Sequence, residues 1–434
     1  MPLPTPRAAL LLALGSAVAL AGVAKPSLLP ALLAFDGLVL AAAILDVLRA
    51  PGPTSLRGRR ILREPLSAFA PNAVALRLEA SGRRALRLEV SDAPPASFRS
   101  EGHRSRLEVP ASGAASLAYE VVPRERGVHR FGDAHVRAFG PWGLAARQWR
   151  LPLSAEVKVY PDLRGLARLP TPESPGPDAA RARGHREGRE FASLRPYAAG
   201  DDFRSIDWKA TARRGAPIVR ETEPERNQTL WLLLDCGRHL SARLADGRLK
   251  LDHAVDAALA LARAAVRSGD RVGALLFGAE VRRVVPPGRG SAQLGPIAEA
   301  LFSAEARVEE SDYAAAFDAL SARQRRRALV VVFTDLADPD TSAVLLTRAA
   351  ILQQRHLALV AAVADSEIAD AARAAPRTLA DAYARVAAER ILGERDLAQR
   401  RLLGAGVRVE SVPARELVAA VVGGYLEIKA GGRL

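Results

Sequence analysis

Three residues stand where oxygen chemistry can begin. Asp235 ends an apolar run in LLLDCGRHL (residues 232–240), and Asp335 ends another in VVVFTDLAD (330–338). Ser311 lies between them in sequence, at the start of a helix-like stretch. A carboxylate at the C-terminal tip of a buried parallel strand is a common place for a ligand or cation. Mg²⁺ takes oxygen ligands and keeps part of its water shell, so Asp235, Asp335 and Ser311 are candidate Mg²⁺ ligands. The neighbours point to weak or lost affinity. Gly237 has no side-chain oxygen, and His239 offers nitrogen, which Mg²⁺ rarely takes. The other use of Asp235 is structural, as an acceptor of loop hydrogen bonds.

Other chemistries leave less trace. The seven histidines are dispersed without ligand spacing, and the chain has no Gly-x-Ser-x-Gly elbow, phosphate loop or His-Glu-x-x-His. Its single cysteine, Cys236, excludes an internal disulfide and a cysteine-based zinc cluster, and reads as a buried small hydrophobe. Asp207-Trp208-Lys209, if extended, puts an acid and a lysine on one face. That opens the alternative of a metal-dependent hydrolase or nuclease. The expectation is a binding protein and not an enzyme, with any ATP hydrolysis supplied by a partner. Basic residues number 62 against 48 acidic, a net charge of +14. The arginines are scattered and no basic run interleaves with aromatics, so nucleic acid is not the expected partner.

The elements that position these residues fall into four expected segments. Residues 1–60 hold two apolar runs, Ala8–Ala24 and Leu28–Leu48, each near the roughly 20 residues that span a bilayer. Arg7, Arg49, Arg57, Arg59 and Arg60 flank the pair. This predicts a transmembrane hairpin with both ends and the bulk of the chain in the cytoplasm. The rival is a signal peptide cleaved after Gly22-Val23-Ala24, leaving an exported adhesion-type module. Residues 61–165 alternate apolar and polar at Ala73–Glu79 and Ala85–Val90, and predict a small β-sandwich with a turn at 139–144. Residues 166–228 join a linker (Pro170–Pro177) to a distinctive polar and aromatic segment. Residues 229–434 alternate strands and helices, and predict a doubly wound, mostly parallel α/β sheet. In it a helix runs from Ser311, its N-cap, to Arg323. One long helical stretch ends near Leu403.

Two resemblances attach to these residues. The α/β part resembles a von Willebrand factor A domain, whose metal-ion-dependent adhesion site uses Asp-x-Ser-x-Ser, a Thr and an Asp. The first motif falls on Asp235, Gly237 and His239, the middle loop on Ser311 or Asp312, and the last acid on Asp335. Both serines of the first motif are missing, which implies a degenerate site. The stretch GREFASLRPYAAGDDFRSIDWKATARRGAPIVRETEPERNQ (188–228) resembles the signature of the bacterial domain-of-unknown-function-58 family. The match lies in Glu190, Leu194, Arg195, Tyr197, Gly200, Asp201, Arg204, Ile206, Asp207, Trp208, Ala212 and Arg213. The resemblance implies paired membrane helices, here in a bacterial inner membrane, a β-rich segment and a von Willebrand A-like C-terminus. It also implies a MoxR-type AAA+ ATPase as partner, in an adaptor or assembly role. Within the segment Arg195, Arg204 and Arg213 can pair bidentately with Asp201, Asp202 and Asp207, while Trp208 supplies an apolar anchor. Those residues form either a structural clasp or a partner surface.

Overall fold

The computed structural model describes residues 2–22, 29–161, 190–198, 201, 203, 206–223, 228–336 and 339–431. The expected linker at Pro170–Pro177 and Arg204 of the signature lie outside them. The chain divides into two compact units, Met1–Tyr160 and Pro161–Leu434.

The first unit begins with β1 (Pro2–Pro4) and the helices α1 (Pro6–Gly22) and α2 (Leu29–Arg49). The strands that follow are β2 (Leu56–Leu62), β3 (Leu66–Ser67), β4 (Asn72–Ala80), β5 (Leu86–Ser91), β6 (Phe98–Glu101) and β7 (Arg104–Val109). Then come β8 (Ala114–Pro123), β9 (Gly127–Phe131), β10 (Ala134–Phe139), β11 (Ala145–Leu151) and β12 (Ala155–Tyr160). Sheets ordered β1-β11-β10-β5-β7, β2-β4-β8-β6 and β3-β12-β9 contribute to one apolar core. Period-two burial produces it: Val74, Leu76 and Leu78 of β4 point inward with Leu86, Leu88 and Val90 of β5.

Polar groups fix the helices to this unit. Asp46 of α2 is fully buried and accepts from Trp142 N, Leu144 N and Ala145 N at 2.8–2.9 Å. It thereby caps the turn between β10 and β11. The Thr5 hydroxyl, ahead of α1, donates to Gly143 O at 2.7 Å. Gly15 of α1 leaves the space that Asp36 fills: a Cβ there would lie 2.1 Å from its carboxylate.

The expected transmembrane hairpin, and with it the inner-membrane placement, is corrected. No helix among the described residues is long and apolar enough to cross a membrane. With 17 residues α1 is about 26 Å long, short of the roughly 30 Å hydrocarbon core. In α2, Asp46 is committed to the β-hairpin turn. Arg60, read above as a flanking charge, is buried in the strand core. It donates to Asp92 and to Leu153 O and Gly132 O, and stacks 4.6 Å above the Phe131 ring.

The second unit opens with an antiparallel pair, β13 (Glu190–Pro196) and β14 (Ile218–Glu223), with the short helix α3 (Trp208–Arg214) between them. A six-stranded sheet follows, built from β15 (Thr229–Asp235), β16 (Arg271–Phe277), β17 (Val281–Gly288), β18 (Leu329–Thr334), β19 (Leu357–Ala364) and β20 (Arg408–Pro413). Its order is β17-β16-β15-β18-β19-β20. The helices are α4 (Lys250–Arg267), α5 (Leu294–Phe302), α6 (Tyr313–Arg323), α7 (Pro339–Gln353), α8 (Ser366–Arg373), α9 (Leu379–Gly404) and α10 (Ala414–Ala430). One face of the sheet packs Trp231, Val330 and Val360 against Phe317 of α6, Leu345 and Leu352 of α7 and Leu402 of α9.

The expected architecture, a doubly wound mostly parallel sheet behind a sandwich and a membrane hairpin, is corrected to a mixed α/β chain. Antiparallel ladders occur in all five sheets of the described residues. Parallel pairing there is confined to β3–β12 and to four pairs of the six-stranded sheet. Chain length between strands is one reason. Only Gly278, Ala279 and Glu280 separate β16 from β17, whereas a parallel crossover needs about a dozen residues or more.

Candidate functional site

The sheet brings Asp235 and Asp335 to the C-terminal ends of neighbouring strands, β15 and β18. What surrounds each acid differs. Asp235 is fully buried, and its carboxylate is saturated with donors. Gly237 N donates to Oδ1 at 2.8 Å and the Ser311 hydroxyl to the same atom at 2.5 Å. The hydroxyls of Tyr313 and Thr334 reach Oδ2 at 2.7 and 2.8 Å, and lie 2.7 Å from each other. Two hydroxyl protons thus serve three close O···O contacts, which makes the cluster one cooperative network. Burial and the Asp235 charge push the Tyr313 phenol well above its usual range, so it stays neutral and donates.

Local sequence explains the arrangement. Ser311 does not cap α6 as expected. Asp312 does, accepting from Ala315 N at 2.9 Å, which leaves the Ser311 hydroxyl for Asp235. Gly237 has no side chain because none fits: a Cβ there would lie 2.1 Å from Ser311 Oγ and 2.9 Å from Glu309 O. The hydroxyl missing from position 237 is, in space, supplied by Ser311. His239 is half-buried, and its Nε2 lies 3.8 Å from Glu310, outside hydrogen-bond range. Cys236 is fully buried, with its thiol 3.7 Å from Leu234 O.

Asp335 is bound by cations. Lys250 Nζ, from the first residue of α4, meets Oδ2 at 2.7 Å. Arg395 Nη2, from α9, meets Oδ1 at 2.6 Å, and Leu336 N donates to Oδ1 at 2.7 Å. All three side chains are at most 5 % exposed. Burial alone raises the Asp335 pKa, but the charges of Arg395 and Lys250 and the hydrogen bonds outweigh it and hold the carboxyl below the usual aspartate value. Sequence reading missed both partners. Lys250 did leave a signal: a cation in the first turn of an amphipathic helix opposes the helix dipole unless a carboxylate pairs with it. Arg395, inside the charged run of α9, left none.

These residues do not fit a divalent ion. The oxygen-rich set around Asp235 is of the right hardness, but its protons already point at the carboxylate. Both oxygens of Asp335, the expected second acid, face fixed positive charges. Beside Cys236 a cavity of about 420 Å³ opens at the same strand ends, lined by Arg282, Arg283, Ser303, Glu305 and Arg307.

The signature segment forms a second site. Arg195 and Asp201 make a bidentate pair at 2.6 and 2.7 Å, and Asp201 also accepts from Ala198 N. Among the described residues Asp207 has no ion pair with an arginine of the segment. It caps α3 through Ala210 N at 2.9 Å, and its backbone N donates to Ile218 O. Helical geometry from Trp208 onward removes the extended Asp207–Lys209 face on which the hydrolase alternative drew. Arg213 is exposed in the last turn of α3. Trp208 is 67 % exposed, and Phe203 is 70 % exposed, its ring 5.7 Å from that of Tyr197.

Comparison with known proteins places this segment. An uncharacterized protein of Mycobacterium tuberculosis is 34 % identical over 158 residues, covering 35 % of this chain and 48 % of that protein. The uncharacterized protein YeaD of Bacillus subtilis is 30 % identical over 122 residues, 28 % of this chain and 31 % of its own. The chain thus spans about half or less of the length of the curated relatives it matches. Among solved structures, an uncharacterized membrane spanning protein from Vibrio fischeri aligns over 47 % of this chain and 98 % of its own at 11 % identity, with a TM-score of 0.18 too low to bear on the fold. The stretch carrying both the Arg195–Asp201 pair and the strand-tip acids, residues 193–384, matches the family described as Protein of unknown function DUF58.

Proposed function

We propose that the protein is a protein-interaction adaptor whose signature segment docks a MoxR-type AAA+ ATPase, with ATP hydrolysis residing in that partner. One observation carries the reading: two large aromatic side chains, Phe203 and Trp208, stand 70 % and 67 % exposed close in sequence to residues that are tied down. The Arg195–Asp201 pair and the Asp207 cap hold the backbone. A large aromatic on a fixed scaffold loses little entropy on binding, and Trp, Tyr and Arg dominate interface hot spots. The basic side chains of Lys209 and Arg213 beside Trp208 favour a partner surface carrying acids.

Co-purification of the full chain with a MoxR-type ATPase tests this. Trp208→Ala is expected to weaken the complex at least about tenfold, since a hot-spot truncation costs about 2 kcal/mol or more. Its melting temperature stays at the wild-type value, because the side chain is exposed. Undiminished binding by Trp208→Ala and Phe203→Ala contradicts the proposal.

A further inference from the structure

We infer that the Lys250 ammonium is the resident cation at Asp335 and Asp365, standing in for a divalent ion, so that this edge of the sheet is built to hold together without metal. Lys250 Nζ lies 2.7 Å from Asp335 Oδ2 and 4.0 Å from Asp365 Oδ2, so it bridges the tips of β18 and β19. Asp365 is itself fixed, as the N-cap of α8. Arg395 closes the other side of Asp335. Around Asp335 the two cations Lys250 and Arg395 face two carboxylates, Asp335 buried and Asp365 half-buried, so the charges of this group match; a dication added at Asp335 would leave it with surplus charge.

Geometry says the same. Each Asp335 oxygen meets a positive charge at 2.6–2.7 Å, and Oδ1 takes a third donor from Leu336 N. A metal approaching Asp335 must displace the ammonium. At Asp235, Ser311 Oγ occupies the space of a residue-237 side chain. The inference is independent of whether the signature segment binds a partner, and its readouts involve none.

The test uses the full chain. Mg²⁺ is titrated calorimetrically into the wild type, and melting is followed in Mg²⁺ and in EDTA for wild type, Lys250→Met and Lys250→Arg. The wild type is expected to give no saturable Mg²⁺ heat and the same melting temperature in both conditions. Lys250→Met is expected to melt about 5–10 °C lower, as for loss of one partner of a buried pair. Lys250→Arg, which keeps the charge, recovers part of that loss. If Lys250→Met does not fold, the wild-type titration and the Lys250→Arg melt decide. Saturable millimolar or tighter Mg²⁺ binding by the wild type, abolished in Asp335→Asn, overturns the inference. So does a Lys250→Met chain as stable as wild type, or a Lys250→Arg chain no more stable than Lys250→Met.

Discussion

At the scale of single residues, Asp235 shows how one carboxylate can be read correctly in place and differently in role. Its position at the end of an all-apolar strand was legible, because burial on both faces demands an unbroken run such as Leu230–Leu234. Of its partners, Ser311 was expected at the same site, though as a fellow ligand and not as a donor; Tyr313 and Thr334 were not, since they reach it from distant parts of the chain. Gly237 is the sharpest case. By motif it is a lost hydroxyl; by geometry it is the only residue type that leaves room for Ser311. Gly237→Ser therefore restores no metal ligand. It is expected to destabilise the chain by about 1–3 kcal/mol through overpacking, and to gain no Mg²⁺ affinity. Urea unfolding and a Mg²⁺ titration check both parts. A stable variant that binds Mg²⁺ would place the missing-serine reading above this one.

At the scale of elements, the strands and helix positions of the second unit followed from periodicity, while their ends followed from caps that pattern does not reveal. Asp312 displaced Ser311 as the cap of α6. The single helical stretch expected up to Leu403 is two helices, α8 and α9, with Pro376 in the break and Thr378 capping the second. The turn at the end of α7 carries a pH dependence. His356 is 3 % exposed, and burial first, then the charges of Arg355 and Arg327, lower its pKa. The unfolded chain takes up that proton near pH 6.5, before the folded one does, so stability falls as pH drops from 7 through 6.5 and below. His253 in α4 is lowered too, again by burial first. His356→Gln is thus expected to flatten, but not abolish, the fall in melting temperature between pH 7 and 5. An unchanged slope in the variant would remove His356 from the account.

At the scale of the whole molecule, the first unit departs furthest from its sequence reading. Two apolar runs flanked by arginine match a membrane hairpin by composition alone. Composition does not show that Asp46 would cap a β-turn about a hundred residues on, or that Arg60 would pair with Asp92 inside a strand core. Both are long-range polar contacts, and each converts an apparent topological signal into a packing one. The signature segment was legible as special, and pairing of its arginines with its acids was expected; what pattern did not show is which groups do which work. Arg195 pairs with Asp201 and Asp207 caps α3, while Trp208 stands exposed. That exposure is the basis for the adaptor proposal. The most direct measurement places a photo-reactive amino acid at position 208 of the full chain, with a control at Leu379, which is 74 % exposed elsewhere in the second unit. With a MoxR-type ATPase present, the account predicts a cross-link to the ATPase from position 208 and none from position 379. A complex that forms without any cross-link from position 208 contradicts it.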